Sequence, residues 1–316
     1  MSINGVETIV FSAVDPSDLI RFFEDFGLSG KRSAGGADFL LPEGSKVLVR
    51  RDDDPSLPPK FLAGDGPREV VWGVDCQAAL DDIEKDLRRD REVTKDDDGT
   101  LHTIDPAGLR IGFRIFTRIP LEKKVVNQEN SLTHRPRWNT IRSQYERATP
   151  KVIQHVVFAT DNIDEALEFY TKRLQFRVTD VSRGRGAFLR ADGRNEHHNL
   201  FFINRPLSFN HIAFGLESID ELMVGANHMQ RKGWTSKFGL GRHRISSIIF
   251  FYMTSPVGGE VEYTADGDFL DDNWQPGLWE PDYGNRYWMA GEAPPILQGE
   301  GVVPLPNPIP KFKAAR

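Results

Sequence analysis

The sequence predicts an α+β fold: four βαβββ modules forming two tandem domains, with curved mixed sheets around a central pocket. Three observations carry this. Four segments share one layout, a short apolar strand, an amphipathic helix and then two or three strands. The ends of the second and fourth segments match, DPAGLRIGF (105–113) against SPVGGEVEY (255–263), each with a Pro-x-Gly turn before a strand. The chain has 316 residues, which suits two domains at roughly 150 residues each.

In the first module Val6, Ile9 and Phe11 mark the strand. Asp15 or Ser17 is placed to cap a helix whose apolar face includes Leu19, Ile20, Phe22 and Phe23. Strands around 39–41 and 47–49 follow. The second module begins REVVWGVDCQAALDDIEKDL, with later strands near 101–104 and 109–115. The third begins VIQHVVFATDNIDEALEFYTKRLQF, and its helix is expected to bury Ile163, Ala166, Leu167, Phe169 and Tyr170. The fourth begins FNHIAFGLESIDELMVGANHMQRKGW. Each module leaves one sheet face apolar, so modules are expected to pair. The predicted domains are 1–118 and 151–265, joined by a polar linker at 119–150. A Pro-, Gly- and Trp-rich tail at 266–316 either wraps the surface or covers an opening.

Composition excludes several function classes. A net charge of -6 gives no nucleic-acid surface in bulk, and Arg183-Gly184-Arg185-Gly186 reads as a turn between strands. The single cysteine, Cys76, permits neither an internal disulfide nor a Cys-based zinc site. No basic stretch followed by an apolar core opens the chain. No apolar run approaches the roughly 20 residues that span a bilayer. A cytoplasmic protein with no membrane or nucleic-acid partner is expected, and a homo-oligomer. Gly239-Leu240-Gly241 lacks the strand–helix setting of a phosphate loop, and the acidic runs at 52–54 and 96–98 lack EF-hand spacing.

All eight histidines lie at or after residue 102. Two occupy matching places. His155 in VIQHVVF and His211 in FNHIAF sit mid-strand among apolar neighbours, each at the start of its module. In the last strand, GEVEYTAD, alternation puts Glu260 and Glu262 on one face and Val261 and Tyr263 on the other. A carboxylate in a buried strand needs a partner. Two imidazoles and one carboxylate on one side of an ion leave positions open for substrate and O2, an arrangement that suits non-haem Fe(II). The N-terminal half is an internal control: Thr8, Glu69 and Gly112 stand at the places of His155, His211 and Glu262, with no complete set.

These residues carry a resemblance. The C-terminal half resembles the type I extradiol ring-cleavage dioxygenases of the vicinal oxygen chelate superfamily, the catechol 2,3-dioxygenase-like enzymes. The most specific stretch is GRHRISSIIFFYMTSPVGGEVEYTADGD (241–268), and NEHHNLFF (195–202) resembles the family's His-containing strand between the two ligand strands. The resemblance implies that His155, His211 and Glu262 are metal ligands. It implies that His198 does acid/base work, with His197 as its alternative, and that His243 and Tyr252 hydrogen-bond to substrate or bound oxygen. It implies Fe(II), with Mn(II) also accepted by such ligands, and a catecholic or trihydroxylated aromatic substrate cleaved with O2. In carboxylate-preferring relatives a pocket Arg precedes the Gly-Arg-His. Phe238 stands there, beside Lys237, so a neutral ring is expected. Two other readings share the fold: a metal-dependent glyoxalase- or epimerase-like enzyme, and a metal-free binding module. The stretch 273–291, with Trp274, Trp279, Tyr283, Arg286, Tyr287 and Trp288, is expected to form a lid.

Overall fold

All four modules are present in the computed structural model, which describes residues 3–122, 129–283, 285–292 and 301–312. Parts of the predicted linker and tail lie outside the described residues. The first module is β1 (Ile3–Ala13), α1 (Ser17–Phe26), β2 (Ser29–Ser33), β3 (Gly36–Leu40) and β4 (Lys46–Arg51). The second is β5 (Gly66–Val74), α2 (Gln77–Leu87), β6 (Thr94–Lys95), β7 (Leu101–Ile104) and β8 (Arg110–Ile115). Together they build a mixed sheet in the order β2-β3-β4-β1-β5-β8-β7-β6.

The third module is β9 (Val152–Thr160), α3 (Ile163–Lys172), β10 (Arg177–Ser182), β11 (Gly186–Arg190) and β12 (Leu200–Asn204). The fourth is β13 (Ser208–Gly215), α4 (Ile219–Arg231), β14 (Ser236–His243), β15 (Ile249–Thr254) and β16 (Glu260–Ala265). The tail adds β17 (Gly277–Trp279), β18 (Arg286–Met289) and β19 (Val302–Pro304). It therefore extends the second sheet at both edges, giving β18-β14-β15-β16-β13-β9-β12-β11-β10-β17-β19. Among the described residues no helix is long and apolar enough to cross a membrane.

The helices sit between the sheets and share one hydrophobic core. Phe26 of α1 stacks on Tyr263 of β16, centroids 3.8 Å apart, and the Tyr263 hydroxyl donates to the Phe26 carbonyl at 2.7 Å. In return, Trp72 of β5 meets Tyr170 of α3 edge-on at 6.3 Å. α3 buries the five residues its periodicity predicts, and α1 adds Phe26 to the predicted face. The α1 cap differs from expectation. Pro16 occupies the cap position with no side-chain cap, and the Asp15 carboxylate instead accepts from the Ser17 N–H at 3.0 Å. The helix ends at Gly27, φ 103°, where a Cβ would lie 2.3 Å from the Ala148 carbonyl oxygen.

A polar knot ties the second module to α3. Asp105, in the turn before β8, accepts from the Leu109 N–H and from the Tyr170 hydroxyl, both at 2.8 Å, in a fully buried setting. Burial outweighs these hydrogen bonds and pushes the Asp105 carboxyl up from 3.8 to about 6. The folded chain thus holds this proton more tightly than the unfolded chain, and the contribution of Asp105 to stability falls as pH rises between 3.8 and about 6. Asp105→Asn keeps an acceptor for Leu109 without the charge. Its melting temperature relative to wild type should therefore improve between pH 4 and pH 7, by about 2 kcal/mol or more of relative stability. A constant difference across thermal melts in that range would refute the assignment.

Candidate metal centre

Strand alternation sorts the second sheet into two faces. Val156, Phe158, Ile212, Phe214, Val261, Tyr263, Phe251 and Met253 join the core. His155, Val157, His211, Tyr252, Phe250 and Glu260 line a cavity of about 660 Å³ on the other face. Residues from β9, β11, β12, β13, β14, β15, β16 and β17 border this one cavity, so the sheet curves around it.

At the cavity floor three donors converge. The His155 and His211 Nε2 atoms are 3.1 Å apart, and they stand 3.1 and 3.2 Å from Glu262 Oε2. Donors about 2.1 Å from one ion and roughly at right angles are about 3 Å apart. The three ligand atoms fit within 4.8 Å of one another, and all three residues are buried. Glu262 is fully enclosed, yet neither of its oxygens has a hydrogen-bond donor. Burial pushes its carboxyl up, and the imidazoles of His155, His211 and His243 more than offset this, holding it well below the usual range. An enclosed, ionised carboxylate without donors is costly unless a cation sits beside it. Burial, opposed by Glu262, pushes His155 down to about 4, so its imidazole is neutral and has a lone pair to offer. The His211 Nδ1–H donates to Asn210 Oδ1 at 2.7 Å, which leaves its Nε2 lone pair facing the same point. The donor set fits a divalent transition metal.

The other predicted residues surround this point. His198 lines the cavity, its ring centroid 4.2 Å from that of His155. Burial first, then the positive potential of His155 and His197, lowers it well below an ordinary histidine. Its neighbour His197 points away from the cavity and bonds to Asp180 Oδ2 at 2.7 Å. His243 Nε2 lies 3.2 Å from the Tyr252 hydroxyl and 3.9 Å from Glu262 Oε1. Burial, then the charge of Glu262, raises the Tyr252 phenol well above its ordinary value, so it remains a proton donor. Glu260 is occupied by an ion pair with Lys237, and Phe238 packs edge-on against Tyr252 at 5.7 Å. Sequence reasoning missed three polar partners: Asn210, Asp180 and the Asn285 carbonyl, which accepts from His243 Nδ1 at 3.1 Å. Only Asn210, next to a flagged histidine, left a sequence signal.

The strand registers test the internal control directly. Ala213 pairs with His155 on one side and with Glu262 on the other, and Val71 pairs likewise with Thr8 and Gly112. Thr8, Glu69 and Gly112 therefore do occupy the equivalent places. Glu69 has more company than its sequence setting suggests. His102 of β7 bonds to it at 2.8 Å, and its other nitrogen lies 3.1 Å from Asp96. Burial disfavours charge on His102, but Glu69 and Asp96 more than compensate and raise it above an ordinary histidine.

Divalent metal should raise the melting temperature of the wild-type chain, with a gain of roughly 2.7 kcal/mol at a hundredfold excess over Kd. Glu262→Gln should erase most of that gain, and His155→Ala/His211→Ala should retain no stoichiometric metal after purification. Wild-type metal content in the double variant, by elemental analysis, would overturn the site.

Comparison with known proteins agrees with this geometry. A family model, "Glyoxalase/Bleomycin resistance protein/Dioxygenase superfamily", matches residues 152–263. The chain is 30% identical over 277 residues to "Metapyrocatechase 2" of Cupriavidus necator, covering 84% of this chain and 83% of that protein. It is 34% identical over 126 residues to the "3-methylcatechol 2,3-dioxygenase" of Pseudomonas putida, covering 34% of this chain and 40% of that one. Among solved structures, the 2,3-dioxygenase LapB from Pseudomonas sp. KL28 superposes with a TM-score of 0.71 at 18% identity, covering 90% of this chain and 99% of that one. The Mn(II)-bound glyoxalase from Novosphingobium aromaticivorans gives 0.72 at 22% identity, covering 93% of each. The two structures share the fold, and the full-length relative carries the family: the chain belongs to the extradiol ring-cleavage dioxygenases of this superfamily.

Proposed function

We propose that the chain cleaves a neutral substituted catechol or trihydroxybenzene beside its diol, with Fe(II) held by His155, His211 and Glu262. The convergence of these three donors at the floor of an aromatic-lined cavity carries the reading. Mn(II) suits the same donor set. A metal held there would supply Lewis-acid and redox chemistry that joins a diol to O2. In this reading the first half is structural and the second catalytic.

The chain's own residues supply the rest. His198, neutral and facing the cavity, accepts a proton from a diol hydroxyl and later returns one. The Tyr252 hydroxyl donates to His243 Nε2 and turns its oxygen toward the substrate side, where it can accept a hydrogen bond from a substrate hydroxyl. Phe188 and Phe201, stacked at 4.0 Å, form an apolar wall with Ile203, Ile245 and Ile248. Glu260 ties down Lys237, the cation beside Phe238. These features favour an uncharged ring substituent. A glyoxalase-like reading is less well supported, because the group holds three donors rather than four, and the groups beside it are built for hydrogen bonding.

The stretch 273–291 serves in this reading as a lid. Trp279, Glu280, Pro281, Asn285 and Arg286 line the cavity mouth. Covering the mouth excludes water from reactive oxygen species.

His198→Phe should keep metal and catechol binding and slow O2 uptake by about 100-fold or more. Unchanged uptake would remove His198 from the chemistry. Across a panel, kcat/KM for alkyl-substituted catechols should exceed that for a carboxylated catechol by about tenfold, roughly 1.4 kcal/mol, and the reverse order would sink the neutral-ring reading. Truncation after Asp272 should leave metal content near wild type, raise the catechol KM and hasten inactivation during turnover. Unchanged kinetics would argue that the tail only wraps the surface.

A further inference from the structure

We propose that Asp180 and His197 are positioning residues that select the tautomer of His198, so that an unprotonated Nε2 faces the cavity. The proposal rests on the reading of His198 as proton acceptor. The three residues form a continuous buried chain. Asp180 Oδ2 lies 2.7 Å from His197 Nε2, and His197 Nδ1 lies 3.1 Å from His198 Nδ1. Asp180 and His197 are almost fully enclosed, at 2% and 1% exposure, and His198 reaches the cavity at 5%.

The direction of each hydrogen bond follows from the first. Asp180 already uses Oδ1 to accept from the Gly277 N–H at 2.7 Å and the Trp279 indole N–H at 2.8 Å. Its Oδ2 is left as an acceptor and requires the proton of His197 to be on Nε2. In the proposed arrangement His197 carries this one proton, so its Nδ1 offers only a lone pair. That lone pair must accept, so the proton of His198 sits on Nδ1 and its Nε2 is bare. His198 Nε2 has no bond within the described residues. The chain's polarity is thus set by one carboxylate whose two oxygens are both committed, two residues away from the substrate cavity. The arrangement obeys the same logic as a carboxylate behind a catalytic imidazole, where the wrong tautomer leaves geometry intact and removes catalysis.

The strongest test inverts the chain without changing its shape. In Asp180→Asn the amide oxygen keeps Gly277 and Trp279, and the amide N–H turns toward His197 Nε2. His197 must then place its proton on Nδ1 and donate to His198 Nδ1, so His198 presents an N–H to the cavity. Long-range ¹H–¹⁵N spectra of the full-length, metal-free protein report which nitrogen of each ring is protonated. Wild type should show His198 protonated at Nδ1, and Asp180→Asn should show it at Nε2. Loaded with Fe(II), the variant should keep wild-type metal content and catechol KM, with kcat reduced by about 100-fold. If Asp180→Asn fails to fold, His197→Phe removes the acceptor and should leave His198 as mixed tautomers with a similar loss of kcat. An unchanged His198 tautomer, or kcat within threefold of wild type in the variants, overturns the proposal. If His198→Phe itself turns over normally, the proton-acceptor reading fails, and this proposal with it. If His198→Phe is slow and Asp180→Asn is not, the positioning role alone fails.

Discussion

One buried carboxylate organises the C-terminal cavity. Glu262 stands on β16 between two strands that bring its neighbours: β13 carries His211, and β15 places Tyr252 directly opposite Glu262. β9, one strand further on, supplies His155. Every donor thus comes from a central strand of an eleven-stranded sheet rather than from a loop. Paired strands hold their side chains to within a narrow range, and a metal site gains from that rigidity. The cost of the arrangement is an enclosed anion with no donor of its own. A divalent cation among the three donors would offset that cost.

The N-terminal half meets a similar constraint differently. Glu69 occupies the place of His211, and it too is buried. Its charge is balanced locally by His102, whose other side is met by Asp96. His102 sits opposite Gly112 as Tyr252 sits opposite Glu262. Restoring a ligand at Gly112 is not a matter of one substitution. A Cβ there would lie 3.0 Å from the Leu101 carbonyl oxygen and 3.2 Å from a Val71 methyl. The backbone of β7 and a Val71 methyl crowd the first atom of any side chain placed there. One half therefore meets its buried carboxylate with an internal ion pair and the other groups its carboxylate with two imidazoles, within the same βαβββ frame.

The frame was largely legible in the sequence because it rests on periodicity. Apolar residues recur along α1 and α3 at helical spacing, and one order of elements repeats four times, so the modules follow from residue order alone. His155, His211 and Glu262 were legible because they place polar groups in largely buried strands, the two histidines at repeat-equivalent positions. The choice between His197 and His198 was not legible. Adjacent residues on an irregular segment have no fixed face, and orientation is decided by Asp180, which lies on β10 with nothing in VTDVS to mark it. The Asn285 carbonyl was invisible for a different reason, because any residue offers one. Helix capping at α1 was misjudged for want of geometry: Asp15 does accept a backbone N–H, but from one residue beyond Pro16.

The tail is tied into the polar partners of the site. Its backbone reaches the site's polar partners at two separate points. The Asn285 carbonyl can only accept, so His243 must hold its proton on Nδ1, and its Nε2 is left to receive the Tyr252 hydroxyl proton. Gly277 and Trp279 occupy one oxygen of Asp180 and leave the other for His197. The bonds at Asp180 to His197 and Gly277 are buried, and in that low dielectric each is stronger than it would be in water. Two of the histidines nearest the substrate space thus take their proton positions from a segment that lies outside the four repeats. The repeated modules supply His155, His211 and Glu262. The added strands β17 and β18 dock on opposite edges of the same sheet, with Gly277 and Trp279 on β17 and Asn285 just before β18.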